Sequence, residues 1–109
     1  MSQTWVNSLR DLLAEFISTA SYYAYHPEKL TDEPFSRLSF LEHQIRLMLN
    51  LKEEDQRKLD ALIAEIASNL GVDFTLSNDF EIMHLTANKL SRDVLRREWD
   101  RLKEPIKIV

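Results

Sequence analysis

Along most of the chain apolar residues recur at steps of three and four, the spacing that places side chains on one face of an α-helix. Trp5, Leu9, Leu12, Leu13, Phe16, Ile17 and Ala20 form the first stripe, with Asn7, Arg10, Asp11, Glu15 and Ser18 between them. The pattern predicts an amphipathic helix over about 4–24, N-capped by Thr4. Proline disfavours helical geometry in the residue before it, so His26-Pro27 ends this helix. A second helix over about 34–49 opens behind Asp32-Glu33-Pro34, since proline is tolerated in a first turn. It carries Phe35, Leu38, Leu41, Ile45 and Met48, flanked by Phe40 and Leu47, and so reads as the most apolar helix, buried on two sides. A third over about 53–70 carries Leu59, Leu62, Ile63, Ile66, Ala67 and Leu70; Asn50 reads as its cap, Glu53 completes a capping box, and Gly71 suits the left-handed C-terminal position. A fourth over about 78–104, capped from Ser77, Asn78 or Asp79, carries Met83, Ala87, Leu90, Val94, Leu95, Trp99 and Leu102. Pro105 ends it, and residues 105–109 form an irregular tail.

Short connections favour antiparallel neighbours, so the expected architecture is an all-α, up-down-up-down four-helix bundle in which 1–109 is one domain. That topology brings Trp5 and Trp99 to one end, with an aromatic contact or shared pocket expected between them. The loops around Asn50 and His26-Pro27 are expected at the other end. Packing is the plainer role for both tryptophans.

Composition agrees with helices. One glycine and three prolines in 109 residues leave little turn chemistry for a β-protein. The absence of cysteine excludes disulfides, thiolate zinc sites and a cysteine nucleophile. Eighteen acidic against fourteen basic residues, a formal charge of −4, argue against a nucleic-acid partner, which needs concentrated Lys and Arg. No apolar run spans a bilayer, and the start, Met-Ser-Gln-Thr-Trp, lacks the pattern of a signal peptide.

Candidate chemistry is sparse. Glu81-Ile82-Met83-His84 has the Glu-x-x-His spacing of di-iron carboxylate bundles, but neither His26 nor His43 has a Glu three residues before it, so the second half of such a site is missing. Glu81 and His84 are weak metal candidates, and a solvated pair is the simpler reading. Glu42 and His43 project about 100° apart on a helix, poorly placed for acid–base work on one substrate. With one glycine there is no phosphate-cradling loop, and no nucleophile pattern occurs; neither catalytic residues nor a cofactor are expected. Lys89, Arg92, Arg96 and Lys103 could make a basic strip, interrupted by Asp93, Glu98, Asp100 and Glu104. An ordinary charged face, with a Lys89–Asp93 pair and Glu98 relieving repulsion between Arg97 and Arg101, is the expected form. Tyr22, Tyr23 and Tyr25 form either loop packing or an exposed recognition cluster.

Three segments together, Gln3-Thr4-Trp5-Val6-Asn7-Ser8-Leu9-Arg10, Ile45-Arg46-Leu47-Met48-Leu49-Asn50 with Glu53-Glu54-Asp55, and Val94-Leu95-Arg96-Arg97-Glu98-Trp99-Asp100-Arg101-Leu102-Lys103, resemble a family of uncharacterised small bacterial proteins with an N-terminal transmembrane helix and a helical soluble domain. The resemblance implies an architecture, not an activity. It implies that the end carrying Trp5, Arg10, Trp99, Arg101 and Lys103 is an attachment end near a membrane, and a cytoplasmic location, at the cytoplasmic face of the inner membrane. The reading is thus a non-enzymatic helical interaction module, the soluble part of a membrane-tethered protein, with a protein partner or a second copy of itself. A metal- or small-ligand-binding bundle, with or without enzymatic activity, and an accessory protein of a mobile element are the alternatives.

Overall fold

The computed structural model describes residues 2–70 and 79–103. Four helices, α1 (Gln3–Tyr25), α2 (Asp32–Met48), α3 (Glu54–Asn69) and α4 (Asp79–Lys103), follow one another among these residues, with a 3-10 turn at Pro27–Lys29 after α1. There is no strand among the described residues. The expected all-α bundle is what forms, and its helix limits lie within about two residues of those predicted from periodicity.

Each helix packs on its sequence neighbours, and α1 also packs on α4. Pairings across the bundle establish the direction of each helix. Glu15 in α1 meets Arg37 in α2, Arg46 in α2 meets Asp60 in α3, and Asp55 in α3 meets Arg97 in α4. Tyr25 at the end of α1 touches Phe80 at the start of α4. Neighbours therefore run antiparallel. The predicted stripes supply the core: Leu9, Leu13, Phe16, Leu41, Ile45, Leu59, Ile63 and Val94 are fully or almost fully buried. Each aliphatic side chain withdrawn in this way contributes about 1.5–3 kcal/mol before the entropic cost of ordering the chain.

Several local expectations are corrected. Ser2, not Thr4, caps α1, its hydroxyl accepting from the Trp5 amide at 3.2 Å. α2 begins at Asp32, so Pro34 is its third residue and Asp32 and Glu33 face the positive end of its dipole. Asn50 does not cap α3; Glu53 stands at that position. Asn50 instead shapes the α2–α3 loop: its side-chain oxygen accepts from the Lys52 amide, and its own amide donates to Gln56 Oε1 at 2.8 Å. The caps expected from Gly71, Ser77 or Asn78, and the tail 105–109, lie outside the described residues.

Two larger corrections concern packing. The loop around Asn50 lies at the same end as Trp5 and Trp99, not opposite them, because α2 descends to the end where α1 starts. The second concerns α2, which is buried on one side only. Leu38, Leu41 and Ile45 face the core, while Phe35, Phe40 and Leu47 are exposed.

Candidate functional site

The weak metal candidates do not converge. Glu81 is exposed, while the half-buried His84 sits beside the Phe80 ring at 6.0 Å and its Nε2 lies 3.3 Å from the Asn88 amide nitrogen. Glu42 is drawn to Arg46 at 3.2 Å, and His43 turns its Nδ1 back to the Ser39 carbonyl at 2.8 Å. Among the described residues no three His, Asp or Glu side chains are grouped to hold a metal ion.

The end carrying Asn50 is organised by a polar network that the sequence reading missed. Gln56 is 0% exposed and Glu98 2%. Gln56 Oε1 takes the Asn50 amide, and its Nε2 donates to Glu98 Oε1 at 3.0 Å. Arg101 Nη1 donates to the same oxygen at 2.8 Å while its Nη2 reaches Glu53 at 3.1 Å. The expected relief of Arg97 and Arg101 by Glu98 is half right: Glu98 serves Arg101 from inside the bundle, and Arg97 turns to Asp55 at 3.5 Å. A carboxylate there would be costly without a cation and a donor, and both are present. A signal did exist. Gln56 continues the Leu59, Ile63, Ile66, Leu70 stripe, and Glu98 continues the Ala87, Ser91, Val94 stripe, at alternating steps of three and four. Classing both by polarity alone hid the register.

Around the corner lies a groove of about 340 Å³ between α1 and α4, lined by Val6, Asn7, Arg10, Leu95, Arg96 and Trp99. Trp5 packs against the core instead, and the two tryptophan rings are not paired among the described residues. Lys103 Nζ stands 5.5 Å over the Trp99 ring, a cation–π arrangement. Of the five residues expected at an attachment end, Arg10 and Trp99 share this groove, Lys103 borders it, Arg101 belongs to the polar network and Trp5 to the core margin. The basic strip is divided as well: Lys89, Arg92 and Arg96 share a shallow cleft with Asp93, while Lys103 lies over Trp99.

At the other end Tyr22, His26 and Lys29 knit the end of α1 to the following turn. The Tyr22 and His26 rings stack at 4.5 Å, and Lys29 donates to the Tyr22 hydroxyl at 3.1 Å, which holds the ammonium above the ordinary lysine range. Tyr23 meets Tyr22 edge-on, and the more exposed Tyr25 packs its ring edge against Phe80. Loop packing accounts for the tyrosines.

The outer face of α2 differs from all of these. Phe40 is 56% and Leu47 87% exposed, two turns apart on one side, with His43 between them and Leu51 exposed just beyond. Leu38, Leu41 and Ile45 point the opposite way. This second stripe explains why the sequence reads as buried on two sides: the residues are there, but no helix among the described residues packs over them, and Phe40 is met only by the Arg37 guanidinium, 5.6 Å from its ring centroid on the same helix.

No family model matches the chain, and no curated protein or solved structure matches it significantly. The resemblance to a membrane-anchored bacterial family is therefore overturned. No helix among the described residues is long and apolar enough to cross a membrane. The two longest, α1 and α4, carry charged residues at helical intervals on their outer faces, as surface helices do. The three segments behind the resemblance are amphipathic-helix patterns with interior stripes, which unrelated bundles share.

Proposed function

We propose that this chain is a non-enzymatic helical interaction module whose working surface is the outer face of α2. The carrying observation is Phe40 and Leu47, large apolar side chains left in solvent two turns apart on the side of α2 that turns away from the core, with Leu51 exposed in the loop that follows. Scattered exposed apolar residues are ordinary, but a set in helical register is the arrangement by which one helix docks against another. The charged side chains lend the reading support, since nearly all of those that approach one another form structural ion pairs rather than a convergent catalytic set. The experiment is affinity capture from the source cell with the wild-type chain and with Leu47→Asp, whose exposed position leaves the core untouched. A specifically retained protein, whether a different chain or a second copy of this one, should be lost with the variant. Equal retention by both would overturn the reading.

A small-ligand role is the second reading, and the groove at Trp99 favours it. Its floor of Val6, Leu95 and Trp99 is apolar, while Arg10 and Arg96 stand at its rim, so it would suit an amphipathic anion. In Trp5→Phe protein, where Trp99 is the remaining indole, decanoate should quench fluorescence saturably and Arg96→Gln should weaken the effect. A linear, Arg96-independent response would reject it.

A further inference from the structure

The α2 face carries a pattern that names its partner. Ser36, Phe40, His43 and Leu47 follow at steps of four, three and four, which is the a/d seam of a heptad. All four belong to the outer side, and the core residues Leu38, Leu41 and Ile45 occupy the positions across the helix. α2 thus presents one seam to its own bundle and a second, shorter seam to solvent.

Charge along the helix is polarised. Arg37, Glu42 and Arg46 are taken up in ion pairs within the bundle, with Glu15 and Asp60, which leaves Asp32 and Glu33 in the first turn and exposed Lys52 just after the last as the charges without an ion pair among the described residues. A parallel neighbour of the same kind would set acid beside acid and base beside base. An antiparallel copy sets Asp32 and Glu33 of each helix beside Lys52 of the other and opposes the two helix dipoles favourably. Antiparallel pairing about a two-fold axis between Phe40 and His43 also layers each Phe40 against the partner copy's histidine and each Leu47 against its serine. No bulky side chain meets its own kind head-on. Only a self-complementary surface can pair this way, and a two-fold interface requires one.

Resting on the reading of α2 as the working surface, we propose that its occupant is a second copy of this chain, docked antiparallel along the Ser36–Phe40–His43–Leu47 seam. A seam of one helix per partner lies at the small end of specific interfaces, so the dimer is concentration-dependent, with a dissociation constant on the order of micromolar.

The full chain contains no cysteine, so a single introduced thiol reports its own position. His43→Cys lies next to the proposed axis, within disulfide reach of its counterpart. Ser36→Cys lies about 15–20 Å from its counterpart along the antiparallel pair, beyond the roughly 7 Å that a disulfide tolerates between Cα atoms. Mild oxidation of the purified variants, with light scattering of the wild type and of Leu47→Asp across concentration, tests the pairing. The expected result is a cross-linked dimer for His43→Cys, little for Ser36→Cys, and a dissociation constant raised about tenfold or more by Leu47→Asp. Circular dichroism and a milder Leu47→Ser variant verify that loss of pairing is not loss of fold. Equal cross-linking at both positions overturns the antiparallel arrangement. A wild-type monomer at every concentration, with no cross-link, overturns self-pairing. In that case Leu47-dependent capture of a different protein preserves the interaction-module reading, and its absence overturns that reading as well.

Discussion

The two ends of the bundle meet the same requirement, closing a four-helix core against water, with different chemistry. Where α1 ends and α4 begins, rings close it: Phe80 is buried beneath Tyr25 and beside His84, and Tyr22 stacks on His26. Where α1 begins and α4 ends, an amide and a carboxylate close it, tied to Asn50, Arg101 and Glu53. Apolar closure is non-directional and tolerates small shifts, whereas the polar closure works only while each donor faces its acceptor. The polar end therefore holds α3 and α4 in one register, and the aromatic end contributes more stability per residue.

Truncation at the aromatic end should have the largest effect. Phe80→Ala removes a buried ring and is expected to cost about 3–5 kcal/mol in urea unfolding. A loss under about 1 kcal/mol would show that the ring is not an essential closure. At the polar end, Gln56→Ala strands the Asn50 amide and takes one donor from Glu98, with an expected cost of about 2–3 kcal/mol. Hydrogen exchange should show the distinction between the ends: faster exchange in the 50–56 segment and in the last turns of α4, with the Tyr22–Lys29 turn unchanged. Acceleration spread evenly over both ends would dissolve the comparison.

The smallest effect belongs to acid. Glu54, in the first turn of α3 at the polar end, has its carboxyl held below the ordinary range by the hydrogen bond from Lys58, 3.1 Å away. A depressed native pKa contributes stability above the unfolded value of 4.5, and that contribution fades as pH falls through the native value. Glu54→Gln should thus narrow, slightly, the difference in melting temperature between pH 7 and pH 3. The pair is fully in solvent, so 0.5 M salt should shrink the effect further. A variant with an unchanged acid response would remove Glu54 as a contributor.

Helix limits and core stripes were legible because periodicity is a local property. Leu9, Leu13 and Phe16, or Leu59, Ile63 and Ile66, declare a buried face without knowledge of what covers it. Loop chemistry was less legible: Asn50 reads as a cap from its type and spacing, yet its amide is claimed by Gln56, which sits on the next helix. Glu98 reads as one more charge on a charged helix, although its register with Val94 and Ser91 points inward. Phe40 and Leu47 were read as buried for the converse reason, that an apolar stripe does not say whether a neighbour exists.

By itself the sequence determined that this chain forms four amphipathic helices, where they stop, and which residues could share a core. Those properties follow from backbone geometry and the cost of exposing apolar surface, which act over a few turns. Only the tertiary structure decided that Gln56 and Glu98 meet inside the bundle, that the Asn50 loop shares an end with Trp5 and Trp99, and that one of the two stripes on α2 stays in solvent. Each depends on which helix lies across from which, a fact set by the whole packing arrangement and not by any single stretch of chain.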